Sequence, residues 1–188
     1  ALGDIADGDT VLIGGFAGFG VPRGLIAALC ETSVRGLTCV YSPGLWPNSA
    51  KPSGIGNLVA NGQVRKLISS LPTGQDQGEI IKEAWDSGDL EIEIVPQGTL
   101  AERLRAAGAG LGGVFIPTGT GTRFTEGKVK RTFAEGEILF EFPLKADFAL
   151  VYAITSDTLG NVVYQGSGRN LGPMMAMAAN VSIVEVEE

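Results

Sequence analysis

Short runs of apolar residues alternate along this chain with longer stretches in which apolar residues recur every three or four positions. The apolar runs predict strands at residues 10–13, 37–41, 66–69, 90–95, 114–116, 148–153, 162–164 and 181–186. The stretches between them predict helices at residues 22–31, 55–62, 77–87, from 99 to about 107, and around 173–179. Strands that alternate with helices are typical of an α/β fold with an open, mainly parallel sheet flanked by helices.

Local signals refine this prediction at three places. Thr99 and Glu102 have the spacing of a capping box, which predicts that a helix begins at Thr99. Residues 123–143 are charged, contain a Glu-Gly turn signal and alternate in polarity, so we expect a small hairpin excursion there. The acidic residues 185–188 are expected to form a frayed, solvated end. No repeat or linker divides the chain, which predicts one domain over residues 1–188.

Composition and charge exclude several classes of function. The formal net charge is −7 and no basic run is present, so nucleic-acid binding is not expected. The chain contains no histidine, which excludes a Ser-His-Asp triad, a Cys-His dyad and a zinc-histidine site within this chain. We predict no metal site. We see neither a signal peptide nor an apolar run that could span a bilayer, and therefore expect a cytoplasmic protein without membrane contact.

Glycine accounts for 28 of the 188 residues, and three glycine-rich turns directly follow predicted strands, at 14–20, 96–99 and 118–122. Open parallel sheets bind ligands beyond the carboxyl ends of their strands, where helices begin with unpaired N–H groups. A dinucleotide-binding motif is not met, because Arg23 stands where a third glycine is needed. The alternative to ligand binding is that these glycines only permit tight turns between a strand and a helix. The predicted substrate-binding residues are Gly14, Gly15, Phe16, Gly18, Gly20, Gly98, Gly119 and Gly121.

Three segments resemble the family I CoA-transferases, and specifically their α, or A, subunits. Residues 7–22, with the sequence DGDTVLIGGFAGFGVP, match the family signature of an Asp-Gly pair, three aliphatics, Gly-Gly-Phe and a later proline. Residues 91–110 and 146–170 are similar to the core and the final third of these subunits, so that the resemblance covers about residues 5–188. It implies the CoA-transferase or sugar-phosphate-isomerase-like variety of the α/β fold.

The resemblance also implies a reaction and a partner. Family members move CoA between carboxylic acids through a glutamyl-CoA thioester on the β subunit, so CoA is a substrate and product and no cofactor is bound permanently. We therefore expect a β subunit, in an α2β2 assembly. The expected substrates are a 3-oxo acid and a short-chain or dicarboxylic acyl-CoA. A CoA-ester hydrolase or lyase on the same fold, and a non-catalytic ligand-binding module, remain as alternatives.

Gln97 is the candidate catalytic residue. By resemblance it matches the family's oxyanion-hole glutamine, and independently it lies at the carboxyl end of a predicted strand, just before a helix. The alternative is a solvated loop amide. The 42–47 loop departs from the family, because Pro43 and Pro47 stand in a region where many α subunits carry Asn-Asn-x-Gly. This departure leaves the identity of the acid open.

Overall fold

The fold is described here for residues 2–42, 54–72 and 78–187 in a computed structural model of the chain. Its strands are β1 (Thr10–Ile13), β2 (Leu37–Tyr41), β3 (Val64–Ser69), β4 (Glu91–Ile94), β5 (Val114–Ile116), β6 (Lys130–Phe133), β7 (Gly136–Glu141), β8 (Ala146–Ala153), β9 (Thr155–Ser156), β10 (Val162–Val163) and β11 (Ala179–Val186). Its helices are α1 (Arg23–Cys30), α2 (Ile55–Ala60), α3 (Gly78–Asp86), α4 (Gln97–Gly108) and α5 (Gly172–Ala178).

Six strands form one parallel sheet in the order β11-β8-β1-β2-β3-β4. This confirms the predicted open α/β architecture. From β1 the chain adds strands outward to β4, and later adds β8 and β11 on the other side of β1. The strand order therefore reverses between β1 and β8. A crevice forms at such a reversal, at the carboxyl edge of the sheet.

Successive strand residues point to opposite sides of the sheet, and the four central strands, β8, β1, β2 and β3, contain most of its buried residues. Val11 and Ile13 of β1 belong to one apolar cluster, which includes residues of α1, α2 and α3. Leu12, between them, belongs to a second cluster with residues of α4 and α5. These three residues are completely buried. The short apolar runs of the sequence thus correspond to strands covered by helices on both sides.

The predicted hairpin excursion is present as β6 and β7, joined through a turn before Gly136. Strand β5 was expected in the main sheet, but it lies outside that sheet. It pairs antiparallel with β7, for example Phe115 opposite Phe140, and forms a separate three-stranded sheet. The predicted strand at 162–164 also lies outside the main sheet, because β10 makes a small antiparallel pair with β9. These pairings bring together segments that local polarity does not connect.

The predicted capping box is wrong. Helix α4 begins at Gln97, two residues earlier than expected, because the extended Pro96 directs its carbonyl to the N–H of Leu100 at 2.9 Å. Thr99 therefore lies inside the first turn, 1% exposed, and its Oγ1 is buried without a hydrogen-bond partner. Glu102 pairs instead with Arg105 on the helix surface, at 2.7 Å.

The predicted frayed end is also wrong as far as residue 187, because β11 pairs with β8 up to Val186 and the Glu187 N–H donates to the carbonyl of Ile154 at 3.1 Å. The Glu185 carboxylate accepts a hydrogen bond from the backbone N–H of Leu25 at 2.9 Å, in the first turn of α1. The N-cap residue of α1 is Pro22, whose side chain makes no capping hydrogen bond. A carboxylate is stabilised in that position by the unpaired N–H groups and the helix dipole. None of the described helices has the length and apolar character needed to cross a membrane.

Candidate active site at the carboxyl edge of the sheet

The strand register aligns the residues that follow four neighbouring strands. Ile13 lies beside Tyr41, Tyr41 beside Ser69, and Ser69 beside Ile94. Since parallel strands all end at the same edge, the next residues lie in a row beyond the sheet. The members of this row are Gly14, Ser42, Ser70 and Val95.

Gln97 reaches back over this row from the start of α4. Its Nε2 donates a hydrogen bond to Ser42 Oγ at 2.8 Å, and its Oε1 accepts one from Ser70 Oγ at 2.6 Å. Ser42 is completely buried, whereas Gln97 and Ser70 are half-buried. The amide thus bridges the ends of β2 and β3. Sequence reasoning predicted Gln97 but missed both serines, whose only signal was a small hydroxyl residue just past each strand.

Two kinds of hydrogen-bond donor at this point have no partner among the described residues. A glutamine amide has two N–H groups, and Ser42 takes one of those of Gln97. The first turn of α4 supplies backbone N–H groups, and no side chain of its N-cap residue Pro96 covers them. Gly98, the second residue of the helix, is exposed and has no side chain that could block access. Amide donors beside a helix N-terminus favour a negatively charged oxygen.

Gly14 and Gly15 shape the turn after β1 and are both buried. The Gly14 N–H donates to the carbonyl of Leu150 at 2.9 Å, which ties the turn to β8. Gly15 has a φ of +108°, and a Cβ placed there would lie 2.5 Å from Cγ2 of Val21. A side chain at Gly15 would therefore disrupt the turn itself.

Phe16 and Phe19 close a tight hairpin at the tip of this turn. Each donates its backbone N–H to the other's carbonyl at 2.9 Å. Ala17 and Gly18 between them have positive φ values of 52° and 81°, as a type I′ turn requires. Phe16 and Phe19 are 41% and 51% exposed. The hairpin thus presents two aromatic rings at the carboxyl edge of the sheet.

A cavity of about 570 Å³ lies next to the hairpin, where the strand order reverses. Gly18 and Gly20 contribute to its wall, together with Tyr152 near the end of β8 and Glu185 near the end of β11. A Cβ at Gly20 would lie 2.2 Å from the carbonyl oxygen of Gly168, so glycine allows these two backbones to touch. A hydrogen bond to Glu187 raises the pKa of Tyr152 to about 12, so its phenol is neutral here.

The structure separates Gly119 and Gly121 from the other predicted residues. They follow β5, which belongs to the small antiparallel sheet rather than to the carboxyl edge. Gly119 has a φ of +87°, and its carbonyl accepts a hydrogen bond from the Thr122 hydroxyl at 2.7 Å. Thr122 also accepts a hydrogen bond from the Phe124 N–H at 3.2 Å. The expectation that all three glycine-rich turns end strands of one sheet is therefore wrong for the third.

A second cavity, of about 390 Å³, lies between β4, α4 and the antiparallel sheet, and four of its charged residues form ion pairs. Glu93 forms ion pairs with Lys66 at 2.9 Å and with Arg103 at 3.0 Å. Partial burial opposes ionisation of Glu93, but hydrogen bonds from these two cations outweigh it and lower its pKa. Glu141 is buried and pairs with Lys128. No group of acidic, cysteine or histidine side chains within the described ranges has the arrangement of a metal site.

Of the predicted 42–47 loop, only Ser42 falls within the described residues. The departure at Pro43 and Pro47 lies outside them. The effect of that departure on acid preference stays a prediction.

Three comparisons with known proteins agree. The family profile described as Coenzyme A transferase matches residues 1–188. The chain is 44% identical to the alpha subunit of the acetate CoA-transferase of Escherichia coli (strain K12), covering all of this chain and 82% of that protein. It is 46% identical to the A-type subunit of the 3-oxoadipate CoA-transferase of Acinetobacter baylyi, covering all of this chain and 80% of that protein.

A solved structure, that of a variant of the decarboxylase AibA/AibB, superposes with a TM-score of 0.80. Its sequence is 27% identical, and the match covers all of this chain and 71% of the other. The two sequence relatives are more similar, and both are the α, or A, members of their enzymes. This chain belongs to the coenzyme A transferase family and resembles the α, or A, subunits within it.

Proposed function

We propose that this chain supplies the oxyanion donor of a CoA-transferase whose nucleophilic glutamate lies on a β subunit. The reaction moves CoA from an acyl-CoA to a second carboxylic acid. The observation that carries the proposal is the position of the Gln97 amide, which lies across two strand ends at the start of α4. Its second N–H has no partner among the described residues. Membership of the family and the α-type designation of its relatives support it.

The chemistry needs a donor at this place. A carboxylate oxygen attacks the thioester carbonyl carbon, the carbon–sulfur bond breaks, and CoA thiolate leaves behind a mixed anhydride. The thiolate then attacks the glutamyl carbonyl, releases the first acid and forms the glutamyl thioester. The second acid repeats these steps in reverse. Each attack gives a tetrahedral oxyanion, which the Gln97 N–H and the α4 N-terminus would stabilise.

The turn after β1 supports a second part of the proposal. Its exposed Phe16 and the wall formed by Gly18 and Gly20 provide an apolar boundary for an acyl group near the same edge. We propose a 3-oxo acid and a short-chain or dicarboxylic acyl-CoA as substrates, with CoA bound only as substrate and product. An α2β2 assembly and a cytoplasmic location belong to the same proposal.

The experiment uses the enzyme assembled with its β subunit. We expect Gln97→Ala to lower kcat well beyond tenfold, by roughly 100- to 1,000-fold, since removal of one oxyanion donor costs roughly 2.7–4 kcal/mol of barrier. Gln97→Glu keeps the length of the side chain and an acceptor oxygen for Ser70, but loses the N–H donor, and should be equally slow. Co-elution with the β subunit in gel filtration controls for assembly. Wild-type turnover in both variants would contradict the role of Gln97.

A lyase or hydrolase is the second candidate, favoured by the structural similarity to a decarboxylase. Incubation of the assembled enzyme with an acyl-CoA and an acceptor acid separates the candidates. A transferase forms the acceptor's CoA ester, and borohydride or hydroxylamine traps the thioester on the partner's glutamate. Release of free CoA or carbon dioxide without a new CoA ester would favour the second candidate.

A further inference from the structure

Ser42, Gln97 and Ser70 form one chain of hydrogen bonds across the carboxyl edge. The donor and acceptor atoms are 2.6 Å apart at the Ser70 end and 2.8 Å apart at the Ser42 end. The serines are 55 and 27 positions away from Gln97 in sequence. The pairing of β2, β3 and β4 brings them together, because it places Ser42 next to Ser70 and both below the start of α4.

This chain of hydrogen bonds restrains a group that is otherwise free to rotate. The last torsion of a glutamine side chain has a broad, two-fold distribution, so a lone amide samples many orientations. Here the carbonyl oxygen accepts from one hydroxyl while the amide nitrogen donates to another. With a hydroxyl at each end, rotation of the amide out of its present plane breaks both hydrogen bonds. The plane of the amide is thereby fixed, with one N–H directed to Ser42 and the second without a partner among the described residues.

We propose that Ser42 and Ser70 are positioning residues that hold the Gln97 amide in the orientation needed to donate to the oxyanion. The inference rests on the proposed function of Gln97 as donor. A donor held in place before the reaction needs no reorganisation as charge develops on the substrate oxygen. Loss of either hydroxyl should therefore slow the chemical step while leaving substrate affinity nearly unchanged.

The test measures kcat and KM of assembled α–β enzyme carrying Ser70→Ala, with Ser70 chosen because it is half-buried. We expect kcat to fall about tenfold, with KM for the acyl-CoA within about twofold of wild type, as misorientation of a reacting group predicts. Ser70→Thr keeps the hydroxyl and should restore most of kcat. Ser42→Ala, once assembled with the β subunit, should show the same changes in kcat and KM as Ser70→Ala.

The decisive measurement combines Ser70→Ala with Gln97→Ala. If Ser70 acts through Gln97, the double variant should be no slower than Gln97→Ala alone. A further tenfold loss in the double variant would overturn the inference, because Ser70 would then act independently of Gln97. Wild-type kcat for Ser70→Ala beside a slow Gln97→Ala would also overturn it, while the donor role of Gln97 would stand.

Ser69→Ala is the matched control. Ser69 precedes Ser70 at the end of β3 and is completely buried, but among the described residues its hydroxyl accepts from the Leu71 N–H, at 3.4 Å, and makes no hydrogen bond to Gln97. We expect its kcat within about twofold of wild type, because this hydroxyl lies outside the chain of hydrogen bonds to Gln97. Equal losses for Ser69→Ala and Ser70→Ala would indicate general damage to the strand end and refute positioning. A Gln97→Ala variant with wild-type kcat would instead refute the proposed function itself.

Discussion

Thr99→Val should stabilise this protein, although a local pattern in the sequence predicts the opposite. The Thr99 hydroxyl is buried in the first turn of α4 and has no hydrogen-bond partner. A buried hydroxyl without a partner costs about 1–3 kcal/mol, and valine replaces it with a methyl group of similar size. Threonine and valine have similar helix propensities, so the backbone contributes little. We expect the free energy of unfolding to rise by about 1 kcal/mol, near the lower end of that range.

Thermal unfolding of the assembled enzyme measures this change, and about 1 kcal/mol corresponds to a rise of roughly 2–4 °C in Tm for a chain of this size. Thr122→Val is the control, because the Thr122 hydroxyl donates to Gly119 and accepts from the Phe124 N–H. That variant should lose about 0.5–1.5 kcal/mol. A loss of about 1 kcal/mol for Thr99→Val would instead show that Thr99 caps the helix, and would refute the reasoning.

Two further predictions concern stability. Gly20→Ala should cost more than the roughly 1–2 kcal/mol of a left-handed backbone, because its Cβ would lie 2.2 Å from the Gly168 oxygen. The control in chemical denaturation is Gly8→Ala, since Gly8 has a φ of +86° and no atom would lie within 4 Å of a Cβ placed there. Equal losses in the free energy of unfolding for the two variants would contradict the packing argument. Glu93→Gln should destabilise the protein at neutral pH, because a carboxyl with a lowered folded-state pKa stabilises the fold above its unfolded pKa. The difference in the free energy of unfolding between Glu93→Gln and wild type should shrink as pH falls below about 4.5 and passes through the folded-state pKa of Glu93. A difference that does not depend on pH would refute the ion-pair explanation.

The sequence predicted the main elements because their signals are local. The apolar runs at 10–13, 37–41 and 114–116 have the bounds of the observed strands, since each run ends at a glycine, serine or proline. The Glu-Gly signal before the seventh strand likewise marked the hairpin turn correctly. Helix ends were less well predicted. Pro96 starts α4 through its own carbonyl, and the Thr99 and Glu102 pattern has no part in it.

The candidate site was predictable only in part. A glutamine shortly after β4 could be singled out, because its position where a strand leads into a helix is a local property. Its partners could not, since Ser42 and Ser70 reach it through the register of three strands. The separation of Gly119 from this edge likewise depends on a pairing between Val114 and Glu141.

By itself, the sequence determined which segments become strands and helices, that they form a parallel α/β sheet, and that Gln97 follows one of the strands. Only the tertiary structure decided that β5 leaves this sheet, that Glu185 covers the start of α1, and that two serine hydroxyls form hydrogen bonds with the Gln97 amide. The physical reason is the distance along the chain over which each kind of interaction acts. Periodicity and turn residues act over a few positions, whereas strand register and side-chain hydrogen bonds join residues that are distant in the chain.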